Sequence, residues 1–128
     1  MLRYRGLAEN LETGLAAISL GVNGSLKTAV ENDSALRDMA LAQEVVALAK
    51  PEDIVLGIST SGNADNCVMA LGVFTVSLTG PHGGVMAGLS DVAIKAPGGS
   101  TKEIQEAHIV LYHTFCLLIE VHYFPELR

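Results

Sequence analysis

Positive charge is scarce in this chain. Eight lysines and arginines stand against fourteen aspartates and glutamates, a net charge of −6, and no basic run exceeds two residues. A protein that grips a phosphate backbone needs clustered Lys and Arg, so nucleic-acid binding is excluded as an expectation. Cysteine is scarce too. Cys67 and Cys116 lie far apart and match no metal-binding spacing, which reads as two ordinary core thiols in a reduced cytosolic protein. No window of about 18 apolar residues is free of charge, so no membrane-spanning helix is expected. The opening "MLRYRGLAEN" has neither an apolar signal core nor a cleavage site, and a cytoplasmic location follows as the expectation. Internal repeats and low-complexity tracts are also missing.

What is present suits one globular domain. The 128 residues are 49% hydrophobic and 17% charged, enough for a single sizeable core and too apolar for a disordered chain. Short apolar runs at 15–20, 53–58, 73–78 and 91–96 read as buried strands. Between them the text turns helical. Residues 21–35 suggest a short helix and a turn, and 36–49 place Leu36, Met39, Ala40, Gln43, Val46 and Ala47 at helical spacing until Pro51 stops them. A brief helical stretch follows at 64–71. The run "TGPHGGVMAGLS" reads as a glycine-rich turn leading into another short helix. A long last helix is predicted from Thr101 to about Tyr123, capped by Ser100 or Thr101 with Glu103 nearby and ended by Pro125.

Strands alternating with helices, and apolar on both faces, predict an α/β fold with a parallel sheet covered on both sides. Ligands of such sheets bind beyond the carboxyl ends of the strands. There the sequence reads Ser59, Thr60, Ser61, Gly62, Asn63. Three hydroxyls, several amides and the positive end of a helix dipole would converge on one point, a natural seat for a phosphate ester. Gly62 would let the backbone approach closely, and Asn63 would cap the helix. A single Asn would suffice as a cap, so the hydroxyls beside it ask for another purpose. Lacking lysine, the loop is not that of a nucleoside triphosphatase.

The stretches "EDIVLGISTSGNADN", "VFTVSLTGPHGGVMAGLSDVAIKAPGGST" and "KEIQEAHIVLYHTFCLLIE" resemble the sugar-isomerase (SIS) domain family, a flavodoxin- or Rossmann-like group, and within it the phosphoheptose isomerase branch. The resemblance implies a three-layer α/β/α sandwich around a five-stranded parallel sheet, assembled as a homotetramer with sites between subunits. It implies conversion of sedoheptulose 7-phosphate to heptose 7-phosphate, a step toward bacterial lipopolysaccharide, with a phosphorylated sugar as partner and no nucleotide cofactor. Ser59, Thr60 and Ser61 match the phosphate-cradling loop; Ala64 stands where members carry a further serine, leaving its backbone N–H. Asn23 falls where many members have an aspartate that touches substrate. Gln105 and His113 match catalytic-centre residues, which in some members bind zinc together with a His and a Glu from an N-terminal segment. That segment, also the source of the glutamate base, has no counterpart here, and Lys102 replaces an aspartate. Residues 1–128 are therefore expected to be a SIS domain short of its N-terminal part and of some residues around 71–72.

Aldose–ketose isomerisation moves a proton between adjacent carbons through an enediol, and an imidazole such as His113 suits the acid role near neutral pH. Gln105 and His113 lie eight residues apart, about 12 Å along a helix. One helix can barely bring both to a single zinc ion, and a site built from two subunits relieves that. His108 is expected to serve packing or an interface, and His82 and His122 to be surface groups. The apolar residues Ile104, Leu111, Phe115, Leu118 and Ile119 of the last helix fit either core or subunit interface. Two non-catalytic readings compete: a replication factor that associates with the initiator, and a phosphosugar-sensing regulator. The former carries arginine where Ser61 stands and asparagine where His113 stands, so these two residues favour catalysis.

Overall fold

The computed structural model describes residues 14–33, 39–63 and 73–125. In chain order the elements are α1 (Gly24–Asp33), α2 (Met39–Leu48), β1 (Ile54–Ser59), β2 (Phe74–Thr79), α3 (Gly84–Leu89), β3 (Val92–Lys95) and α4 (Thr101–Tyr123). The three strands form one parallel sheet in the order β1-β2-β3. The fold is thus α/β with a parallel sheet, as the alternation of elements predicts. The helical stretch at 64–71, Cys67, Ala64 and residues 34–38 lie outside the described residues.

One predicted strand is absent. Residues 14–19 have no regular structure and 20–21 form a turn; Leu15 and Ile18 are 49% and 69% exposed. An apolar run becomes a strand only where a neighbour accepts its amides, and among the described residues this one pairs with none. Its end is instead held by Glu44, a buried carboxylate of α2 that accepts the Gly21 N–H at 2.5 Å. The expected burial on both faces holds only in part. Leu78 at the end of β2 is fully buried, whereas Ile54, Leu56, Ile58 and Phe74 remain 42% to 66% exposed. Cross-strand partners share a face, and the register pairs Ile54 with Phe74 and Ile58 with Leu78. That apolar face is therefore covered at its carboxyl end and bare at the other.

Each strand begins one residue later than its sequence suggests, and at β1 and β3 the aspartate in front has another duty. Asp53 Oδ2 accepts the Lys50 N–H at 2.9 Å and shapes the turn into β1. Asp91 clamps β3 to the start of β2. Its Oδ2 accepts from the Thr75 N–H at 2.7 Å and from the Thr75 hydroxyl at 2.8 Å, and its own N–H donates to Thr75 Oγ1. Donation by the Thr75 amide first, and by its hydroxyl second, holds the Asp91 carboxyl below its ordinary value. A carboxyl lowered in the folded state stabilises the fold above its unfolded value, and that stability is lost as pH falls through the folded value. Asp91→Asn is therefore expected to lower stability at pH 7 and to flatten the pH dependence of unfolding below about pH 4. Urea unfolding at pH 7, 4 and 3 checks this; an unchanged slope across those three would remove the clamp's role.

The core sits at the carboxyl end of the sheet, where Leu78, Ala96, Met86 and Ile104 are buried. α3 packs on β2 and β3, and α1 on α2. α4 starts as predicted: the Ser100 hydroxyl accepts the Glu103 N–H, and Glu103 reaches back to the Gly99 N–H at 2.7 Å. Reciprocal bonds of this kind satisfy amides that a helix start leaves free. Among the described residues no helix is long and apolar enough to cross a membrane.

Candidate functional site

β1 delivers Ser59 and Thr60 half-buried to the carboxyl edge of the sheet, with Ser61 exposed behind them. The bend is tied from within. The Gly62 N–H donates to the Ser59 carbonyl and hydroxyl oxygens, both at 3.2 Å, and the Asn63 N–H donates to Ser61 Oγ at 3.2 Å. Ser59 Oγ and Ser61 Oγ stand 3.5 Å apart. As each accepts an amide proton, its own O–H is left to donate. At most one of those protons is used between the two serines, and the Thr60 hydroxyl bonds to no described residue. The loop thus presents hydroxyl donors to whatever sits above it, the chemistry an anion requires.

What holds the loop in place is a second glycine-rich turn. Gly62 (φ 68°) lies face to face with Gly83 (φ 77°) and Gly84 (φ 57°). A Cβ on Gly62 would run into the Gly83 carbonyl, and one on Gly84 would come within 2.5 Å of the Ser61 carbonyl oxygen. The Gly62 carbonyl accepts the Met86 N–H at 2.9 Å, and Asn63 Oδ1 accepts the Val85 N–H at 2.9 Å. The helix that Asn63 is expected to cap lies outside the described residues, and the amide that its Oδ1 satisfies belongs to α3. On the other side the Thr60 carbonyl accepts the Gly80 N–H at 3.1 Å. The signal for this interlock was the "GG" after β2; read as a turn, it gave no hint of its partner.

α4 is anchored under the same edge by His108, which is 3% exposed. Its Nε2 lies 3.1 Å from the Thr79 carbonyl oxygen, and since a carbonyl only accepts, Nε2 carries the proton. His108 is thus a packing residue. Gln105, His113 and His122 are exposed on α4, and His82 is exposed in the turn before α3. Cys116 is exposed as well, which corrects its placement as a core thiol: on α4 the inward positions belong to Ile104, His108, Leu111 and Phe115. Lys102 is exposed and pairs with Glu106 at 3.8 Å. Asn23 does a structural task, its Oδ1 accepting the Leu26 N–H at 3.1 Å to start α1. It lines a cavity of about 250 Å³ with Ile18, Glu44 and Leu48, a cavity that includes no residue of the 59–63 loop. Gln105 and His113 stand about 12 Å apart along α4, and among the described residues no cluster of three His, Cys, Asp or Glu could hold a metal.

The comparison with known proteins turns on this loop and α4. No protein-family model matches the chain. A phosphoheptose isomerase of Helicobacter pylori strain P12 is 44% identical over 116 residues, covering 86% of this chain and 60% of the relative. That of Geotalea daltonii is 40% identical over 121 residues, covering 90% and 62%. Among solved structures, the phosphoheptose isomerase of Neisseria gonorrhoeae superposes with a TM-score of 0.76 at 36% identity, over 81% of this chain and 62% of that one. The Francisella tularensis protein gives a TM-score of 0.78 at 30% identity, over 85% and 61%. Over the stretch compared, the chain is similar to phosphoheptose isomerases. It spans about three fifths of the length of the relatives it matches. The α/β fold with its parallel sheet matches those structures.

Proposed function

We propose that the protein isomerises a phosphorylated ketose, sedoheptulose 7-phosphate being the substrate that the relatives' name supports. The observation that carries this reading is the hydroxyl-rich 59–63 loop, clamped at the carboxyl edge of a parallel sheet within a chain that is 44% identical to a phosphoheptose isomerase. The loop's hydroxyls hold the phosphate, and a bound phosphate fixes the far end of the sugar. Fixing one end in this way turns a mobile substrate into an oriented one, which lowers the entropic part of the barrier. His113, exposed on α4, is the proton donor to the sugar oxygen while the enediol forms. Ser61 and His113, the residues in which the initiator-associating branch differs, favour an enzyme over that factor.

The bare apolar residues of α4 support a homo-oligomer: Leu118 and Ile119 are 60% and 44% exposed, beside Val110 and Leu117 at 65% and 54%. Four copies would hide such a surface. A tetramer in the cytoplasm, on the route to heptose for the cell envelope, is the setting this reading gives the protein. Zinc would need donors beyond Gln105 and His113, so no step here runs through it. The decisive experiment is a coupled assay of the purified full-length protein with sedoheptulose 7-phosphate. Turnover is expected; none with or without added zinc would defeat the isomerase reading.

A further inference from the structure

We propose that the Lys95 ammonium is a second contact for the phosphate monoester on the 59–63 loop, supplying the positive charge that the loop itself lacks; the assignment rests on the phosphosugar reading of that loop. The register places Ser59 beside Thr79 and Thr79 beside Lys95 at the carboxyl edge of the sheet. Directly paired residues share a face, so Lys95 leaves β3 on the side from which Ser59 leaves β1.

Its stem then crosses Gly83. Lys95 Cε and Nζ lie 2.8 and 3.3 Å from where a Cβ on Gly83 would stand, and the Gly83 carbonyl abuts Gly62. One glycine therefore separates the ammonium from the loop, and a side chain at Gly83 would push the lysine out of its path. Lys95 is exposed, and among the described residues it makes no ion pair or hydrogen bond. Lys102, by contrast, pairs with Glu106.

Hydroxyls and amides give a phosphate dianion hydrogen bonds but no full countercharge. An exposed cation beside it supplies that countercharge, for up to roughly a fivefold gain in affinity. Long and freely rotating, a lysine stem can close that gap when the anion arrives.

The test uses the full-length protein, with inorganic phosphate as the probe followed by titration calorimetry and NMR. Lys95→Gln is expected to weaken phosphate binding by up to about fivefold, and Lys95→Arg to restore it to within about twofold. Raising NaCl to about 0.5 M should shrink the difference, because salt screens an exposed charge. The melting temperature should not move. In the coupled assay Lys95→Gln should raise KM by a similar factor and leave kcat within about twofold, the pattern of lost uniform binding. Lys50→Gln removes the same charge far from the loop and should change nothing. The proposal is overturned if Lys95→Gln binds phosphate as tightly as the wild type, if Lys50→Gln weakens it equally, or if the wild type binds no phosphate. A wild type that binds phosphate but turns over no sugar would sink the isomerase reading alone, and the calorimetric arms would still decide on Lys95.

Discussion

Gly62→Ala is expected to unfold the candidate site without changing its chemistry. The substitution adds one methyl group, and two independent costs follow. At φ 68° a side chain sits in the left-handed region, which costs about 1–2 kcal/mol. The methyl would also meet the Gly83 carbonyl, with Gly84 N 3.1 Å away. These are backbone atoms, which cannot rotate aside, so the two turns must separate. Separation breaks the bonds from Met86 N–H to the Gly62 carbonyl and from Val85 N–H to Asn63 Oδ1, each worth about 1 kcal/mol. A loss of about 2–4 kcal/mol in urea unfolding is expected, with phosphate binding abolished. Gly88→Ala is the control. Nothing lies within 4 Å of a Cβ at Gly88, and its φ is not positive; inside α3 that change is expected to be neutral or stabilising by up to about 1 kcal/mol. Equal stability of the two variants would mean that the interlock does not hold the loop.

The sequence reveals each element of the fold that its own residues determine. Ser100 and Glu103 announce the start of α4 because a capping box is made of side chains close in sequence. Pro51 and Pro125 mark stops for a similar local reason. The starts of β1, β2 and β3 were legible to one residue, and for β1 and β3 the error has a cause: Asp53 and Asp91 stand next to apolar runs but spend their carboxylates on Lys50 and Thr75 amides. The run at 15–20 misleads for a different reason. Its composition is that of a strand, yet strand formation depends on a partner that no local pattern reveals.

The candidate site divides along the same line. Hydroxyl density in 59–63 was readable, since the residue types alone offer donors at the end of a strand. The bond from Asn63 to α3 was not readable, because it spans a separation only the folded sheet closes. Lys95 carried no signal at all. It looks like an ordinary charge at the end of a strand until the register sets it on the Ser59 face and the glycine at 83 lets its stem through. His108 and His113 look alike in sequence, five positions apart on one helix. Burial separates them.

That separation makes the second large effect testable. His113→Ala in the full-length protein is expected to lower kcat by about 10²- to 10⁴-fold, the usual contribution of one positioned acid–base group. Because His113 is exposed and bonds to no described residue, stability should stay within about 0.5 kcal/mol of wild type. Phosphate affinity should not change either, since the 59–63 loop proposed to hold the anion is untouched. His108→Ala should behave in the opposite way. It removes a fully enclosed ring and its bond to the Thr79 carbonyl, which is expected to cost about 2–4 kcal/mol of stability. The Thr79 carbonyl still accepts the Ala96 N–H at 2.8 Å, so the sheet edge survives and any folded fraction should retain its kcat. A catalytic role for His113 requires this crossed pattern: one variant stable and inactive, the other unstable and active when folded. If His113→Ala turned over substrate at the wild-type rate, the proton would have to reach the sugar oxygen by another group, and α4 would be scaffold and interface alone.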